Sequence, residues 1–172
     1  MEPQPALVRV LNNRFSSNPQ VSIVPKGLAS RSGTLEMSIN SAAPVLSTFS
    51  DQWKHGRFAD KKWDQTIMVD VTTFDQLVTE FGSPRYSKID VEGFESEVIH
   101  GTSSKVGCIS FEFTSDFLST AVDILGYLSG IGYSRFNFSL DDDDKFWLDQ
   151  WLDRDELSVK LSECPSRKFA SH

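Results

Sequence analysis

Lys88-Ile89-Asp90-Val91-Glu92-Gly93-Phe94-Glu95-Ser96-Glu97-Val98-Ile99-His100-Gly101 reads as the end of a strand, an acidic turn, and a short helix stopped by glycine. The strand is expected over residues 86–91 and the helix over 94–100. Gly93 lets the chain turn sharply between them, and its lack of a side chain leaves room for a ligand to approach. A second strand, residues 106–113, is a nearly continuous apolar run whose Cys108-Ile109-Ser110-Phe111 leads into Glu112. Ligands of an open parallel sheet bind at the carboxyl ends of its strands. If these two strands are neighbours, Asp90, Glu92 and Glu112 converge there. A single acid at such a place usually caps a helix or meets water, but three at matching strand ends indicate a site. Lys88 is expected to point to solvent rather than to neutralise a carboxylate, because strand side chains alternate between faces.

Outward from this stretch the pattern alternates. Residues 6–15 follow two prolines and repeat apolar positions at helical spacing, with Leu7, Val10 and Leu11 on one side. Residues 21–25 form a short apolar run that reads as a strand, and residues 33–40 alternate with Leu35, Met37 and Ile39 on one face. Residues 41–62 are long and irregular and carry Trp53, His55 and Phe58; loops of that length in compact domains are often functional. Residues 66–72 alternate again, and residues 73–81 read as a helix with Thr73 as N-cap and Gly82 as its stop. Ser115 or Asp116 is expected to cap a helix reaching residue 131, with Leu118, Val122, Leu125 and Leu128 inward. A strand over 133–140, an antiparallel partner over 145–148 and a helix over 153–161 complete the pattern. Strand–helix alternation predicts an α/β fold with a mostly parallel sheet and one C-terminal antiparallel hairpin. The length of 172 residues suits a single domain, residues 1–172.

Bulk properties exclude several classes. Hydrophobic residues make up 39% of the chain, enough for a packed core. The net charge of −7 and the lack of a basic stripe argue against a nucleic-acid partner. No apolar run reaches the roughly 20 residues of a membrane span, and the first residues lack the basic start and apolar stretch of a signal peptide. Cys108, in its apolar strand, is expected to be a buried thiol. With Cys164 as the only other cysteine, the expected setting is reducing and cytoplasmic.

The central stretch resembles the signature of FkbM-type methyltransferases. Val69-Asp70-Val71-Thr72-Thr73-Phe74-Asp75-Gln76-Leu77 is similar to the strand and helix that precede the signature, and Ile109-Ser110-Phe111-Glu112 to the strand that follows it. Residues 21–33, ending in Ser30-Arg31-Ser32-Gly33, and Glu2-Pro3-Gln4-Pro5 also fit. The resemblance implies a Rossmann-like class I methyltransferase fold using S-adenosylmethionine, with Asp90, Glu92 and Glu112 at the chemistry and Glu2, Asp90 and Gly93 at the cofactor. Glu2 would meet the cofactor ribose. The implied substrate is a sugar or small-metabolite hydroxyl.

In that family a strand and a Gly-rich turn come before the ribose-binding acid, whereas this sequence starts at Met1, directly before it. The expectation is therefore a fold lacking its first strand and Gly-rich loop, with open sheet edges that invite self-association and with little affinity for the cofactor on its own. A non-catalytic remnant or interaction module with the same fold is the competing reading. A nucleotide-binding α/β protein is a third, weakened by the absence of any phosphate-cradling glycine loop.

Other features read as structural. Asp141 to Asp144 form a solvated turn rather than a metal site, since consecutive acids rarely surround a cation. Asp90 and Glu92 suit magnesium by residue type, but no third ligand can be named, so no metal is expected. His100 ends a helix, where a cation favours the dipole. His55 is a minor candidate base, and Trp53, Trp63, Trp147 and Trp151 read as packing.

Overall fold

The computed structural model describes residues 1–56, 58–140 and 145–163. The acidic run at 141–144 and Cys164 lie outside the described residues. Helix α1 (Pro5–Phe15) is followed by strands β1 (Gly27–Leu28) and β2 (Gly33–Ile39), the short helix α2 (Asp51–His55) and strand β3 (Gln65–Thr72). Helix α3 (Phe74–Phe81), β4 (Tyr86–Ile89), α4 (Glu95–Ile99), β5 (Cys108–Phe111), α5 (Leu118–Gly130) and α6 (Arg154–Glu163) complete the chain.

The expected parallel, adjacent arrangement of the two acid-ended strands is present. β4 and β5 pair in parallel with Tyr86 opposite Cys108 and Ile89 opposite Phe111. The expectation of one mostly parallel sheet is corrected. The strands form two small sheets, β1-β3-β2 and β4-β5, and β2 lies antiparallel to β3 from Gly33↔Val71 to Ile39↔Gln65. The reason is visible in the residues. One-faced alternation in β2 is the mark of a strand whose other face meets solvent, as antiparallel sheets allow. Residues 40–64 also contain no helix long enough for a crossover, so they fold back through Ser38 and Thr48, whose backbones exchange hydrogen bonds at 2.9 and 3.0 Å. Met37, Ile39 and Val69 form the small core of this sheet.

Two further strands are corrected. Residues 21–25 form no strand, because the Val24 carbonyl accepts from Glu2 and Lys26 backbone N–H groups and Pro25 has none to give. The C-terminal hairpin reduces to an antiparallel bridge between Phe136 and Leu152, with Trp147 N–H donating to the Phe138 carbonyl. Asn137 explains the shortfall: its side-chain amide bonds the Leu148 backbone on both sides, taking the place of ladder bonds.

The main core gathers Ile89, Val98, Ile99, Ile124, Leu125, Leu128, Leu157 and Leu161 between β4-β5 and the helices. The first sheet joins it at one close contact. Gly101 approaches the Ala29 carbonyl so nearly that a Cβ on residue 101 would sit 2.5 Å from that oxygen. Thr73 caps α3 as expected, its side chain accepting from Gln76 N–H, and Gly82 ends the helix. A 3-10 turn (Ser115–Phe117) precedes α5 in place of a Ser or Asp side-chain cap. In α5, Leu125 and Leu128 are buried with Ala121 and Ile124, while Leu118 and Val122 are half-buried. Cys108 is exposed, correcting the buried thiol: period-two alternation turns it away from the face that carries Ile109. Helix α1 buries none of its residues, and no helix among the described residues is long and apolar enough to cross a membrane.

Candidate functional site

The strand-to-helix turn after β4 adopts backbone angles that sequence rarely permits. Glu92 has a φ of 55° and Gly93 a φ of 85°. A left-handed glutamate is uncommon and persists only where its surroundings hold it. Two groups hold this one. From inside, the buried Glu95 carboxylate accepts from the backbone N–H of Val91 at 3.1 Å and of Gly93 at 3.3 Å. From outside, the Thr48 hydroxyl donates to the Glu92 carbonyl at 2.7 Å. Trp53 of α2 lies directly over Gly93, so that a Cβ on residue 93 would fall 2.7 Å from the indole. The irregular 41–62 segment covers the strand ends with a cap built around buried Trp53, whose ring stacks on Phe117 and lies tilted against Phe58.

The fold brings the three sequence-predicted acids together. One carboxylate oxygen from each of Asp90, Glu92 and Glu112 lies within 4.8 Å of the others. Sequence named no third ligand beside Asp90 and Glu92; Glu112 is the residue that could complete such a set. Lys88 is exposed, as expected, and in addition bonds the Asp90 carboxylate at 2.7 Å. Burial pushes Asp90 up, but hydrogen bonds from Lys88 and Glu112 outweigh it and hold the carboxyl below its usual range. Burial pushes Glu112 up to about 7, with the hydrogen bond and charge of Asp90 adding to it. Glu92 rises to about 8, first by burial and then by the charges of Glu112, Asp90 and Glu95. The cluster at neutral pH is thus one ionised carboxylate, one protonated carboxyl and one poised between them, steadied by a single lysine.

This has a consequence for stability. Acids whose folded pKa is raised above the unfolded value contribute stability at low pH and lose it as pH rises through the folded pKa. Glu92 and Glu112 are therefore expected to lower the melting temperature steadily between about pH 5 and about pH 8. Glu92→Gln should flatten that slope. Melting curves followed by circular dichroism check it, and a melting temperature that climbs across the window would contradict the assignment.

Two cavities adjoin the cluster. A small one of about 20 Å³, with room for a single water-sized group, is lined by Trp53, Gly93, Glu95, Glu112 and Thr114. The Thr114 hydroxyl and the Trp53 indole N–H, both buried, have no hydrogen-bond partner. A groove of about 790 Å³ runs from Asp90 and Glu112 along β5 to Lys105 and Arg135.

Of the residues carried over for S-adenosylmethionine, Asp90 and Gly93 share the turn after β4, where Asp90 lines the large groove and Gly93 faces Trp53. The Glu2 carboxylate accepts from the Gln4 backbone N–H at 2.7 Å, and Glu2 lines neither of these two cavities. His55 and His100 each spend Nδ1 on a backbone carbonyl one turn back, Asp51 and Ser96, at 2.7 Å. Glu95 is the functional residue that sequence reasoning missed. An acid in the first turn of a helix that follows a glycine was the available signal. Thr48 carried none, since it reaches the turn from 44 residues away in the chain.

A family model described as a methyltransferase FkbM domain matches residues 1–135 of the chain. No curated protein and no solved structure matches it.

Proposed function

The chain belongs to the FkbM methyltransferase domain family, and from that premise we propose that it methylates a hydroxyl of a sugar or small metabolite. The observation that carries this reading is the carboxylate cluster at the ends of β4 and β5, where Glu112 is held near neutrality. A general base works best with a pKa near the working pH, because it is then both available and strong enough. In the proposed reaction Glu112 takes the proton of the acceptor hydroxyl, Asp90 with Lys88 keeps that carboxyl in place, and Trp53 keeps bulk water from the strand ends. Asp90 is the alternative base, weakened by its ion pair. S-adenosylmethionine is the donor that family membership implies.

A second reading is favoured by a specific observation. Because Glu2 lines neither of the two cavities at the strand ends, the second reading is a non-catalytic module of the same fold. Calorimetric titration with S-adenosylmethionine, followed by transfer of a labelled methyl group to a panel of sugars and hydroxylated metabolites, separates the two. The chain by itself is expected to bind the donor weakly, at millimolar rather than micromolar concentration. Label appearing on a hydroxyl supports the enzyme; no donor binding and no label on any acceptor overturns it in favour of the module.

A further inference from the structure

The large groove has a polarity that the carboxylate cluster alone does not explain. It follows β5 from end to end: Asp90 and Glu112, with Lys88 paired to Asp90, stand at the carboxyl end, while Lys105 and Arg135 stand toward the other. At about 3.3 Å per residue, the stretch from residue 106 to residue 112 measures about 20 Å. Between the charged ends apolar side chains such as Ile109, Leu125 and Trp151 make up most of the wall, interrupted by Ser110, Ser134 and Asn137. Three of the large hydrophobic side chains that remain exposed, Tyr86, Phe146 and Trp151, line this one groove, and Phe146 and Trp151 meet edge to face at 5.0 Å. Exposed aromatics gathered on one concavity mark a ligand surface more often than chance packing. Its volume falls in the range of pockets that bury a drug-sized molecule.

The far end is cationic and uncommitted. Lys105 lies over the Tyr133 ring at 5.3 Å, and Arg135 donates to the Trp151 carbonyl at 3.3 Å. Neither forms an ion pair among the described residues. Among the described residues, the only acids lining the groove are Asp90 and Glu112 at the opposite end.

We propose that the groove binds an elongated, apolar hydroxy acid, its carboxylate against Lys105 and Arg135 and its hydroxyl delivered to Asp90 and Glu112. Resting on the methyltransferase reading, this names the acceptor as an amphiphilic carboxylic acid rather than a sugar. A sugar would leave part of its hydroxyls against the apolar stretches of the wall, which is costly. An alkyl body loses water there at a gain.

The test is a titration of the full chain without methyl donor, read by tryptophan fluorescence and calorimetry. The probes are ω-hydroxydodecanoate, the matching α,ω-diol and maltotriose. The acid is expected to bind at least about tenfold tighter than the diol, as charge-assisted bonds to two cations allow. Lys105→Glu with Arg135→Glu should remove that advantage and leave diol affinity within about twofold. Both side chains are exposed, and a circular dichroism spectrum confirms the fold. Equal binding of acid and diol, tighter binding of maltotriose, or no binding of any probe at millimolar concentration overturns the proposal. Because no donor is present, acid binding without methyl transfer would sink the proposed function alone. Methyl transfer to another acceptor with no acid binding would sink the groove assignment alone.

Discussion

Gly93→Ala is expected to cost the chain about 2–5 kcal/mol of folding stability. Two terms add. A side chain at φ 85° is strained whatever surrounds it, by about 1–2 kcal/mol. The new methyl would also fall 2.7 Å from Trp53, which cannot step aside because it is buried between Phe58 and Phe117. Overpacking of that kind costs about 1–3 kcal/mol. Trp53→Ala alone should cost about 3–5 kcal/mol through the lost burial and the cavity left behind. Combined, the two substitutions should cost clearly less than their sum, since the shorter residue removes the clash. Urea unfolding of the four proteins gives the cycle. Strict additivity, or a Gly93→Ala variant within experimental error of the parent, would mean that the indole does not sit on the turn.

On the methyl-transfer reading, Glu112→Gln should lower the rate by about a hundredfold to ten-thousandfold, the usual reach of a general base. The glutamine keeps the shape and loses the proton acceptor. The pH profile gives the sharper test. The base must be deprotonated to act, so the rate should rise with pH through about 7, well above where an ordinary glutamate would titrate. Two neighbours should move that limb in opposite directions. Asp90→Asn removes the hydrogen bond and charge that hold Glu112 up, so the limb should fall to lower pH; Lys88→Met removes a stabilising cation, so it should climb. If Glu112→Gln keeps its rate, or both neighbours shift the limb the same way, the base lies elsewhere.

How far the sequence foretold this depends on the range of the interactions involved. The β4–turn–α4 stretch, the cap by Thr73 and the pairing of β4 with β5 rest on local signals: alternating faces, a glycine stop and a hydroxyl before a helix. The meeting of Asp90, Glu92 and Glu112 followed from those alone. What escaped prediction was decided at a distance. Whether β2 runs parallel or antiparallel to β3 depends on how residues 40–64 reverse, which no short pattern encodes. Lys88 was read from strand alternation, yet a carboxylate two residues on lies on the same face and captures it. Asn137 looked like an ordinary strand residue until its amide was seen to replace a ladder bond. Two of the buried groups without partners, on Thr114 and Trp53, belong to residues that line the small cavity and carry no sequence mark.

All of the acids that matter, with the glutamate that pins the turn, come from one stretch, residues 90–112, that runs from the end of β4 to the end of β5. Their ends are brought together by a parallel pair whose strands are separated by little more than one short helix. Closing so small a loop costs little chain entropy, and contacts close in sequence form fast. The cluster should therefore be among the first parts of the molecule to assemble during folding, ahead of the cap that later lowers Trp53 onto it. A partly folded chain would then carry a formed but uncovered acidic centre, and amide exchange in α4 should be protected earlier than in α2.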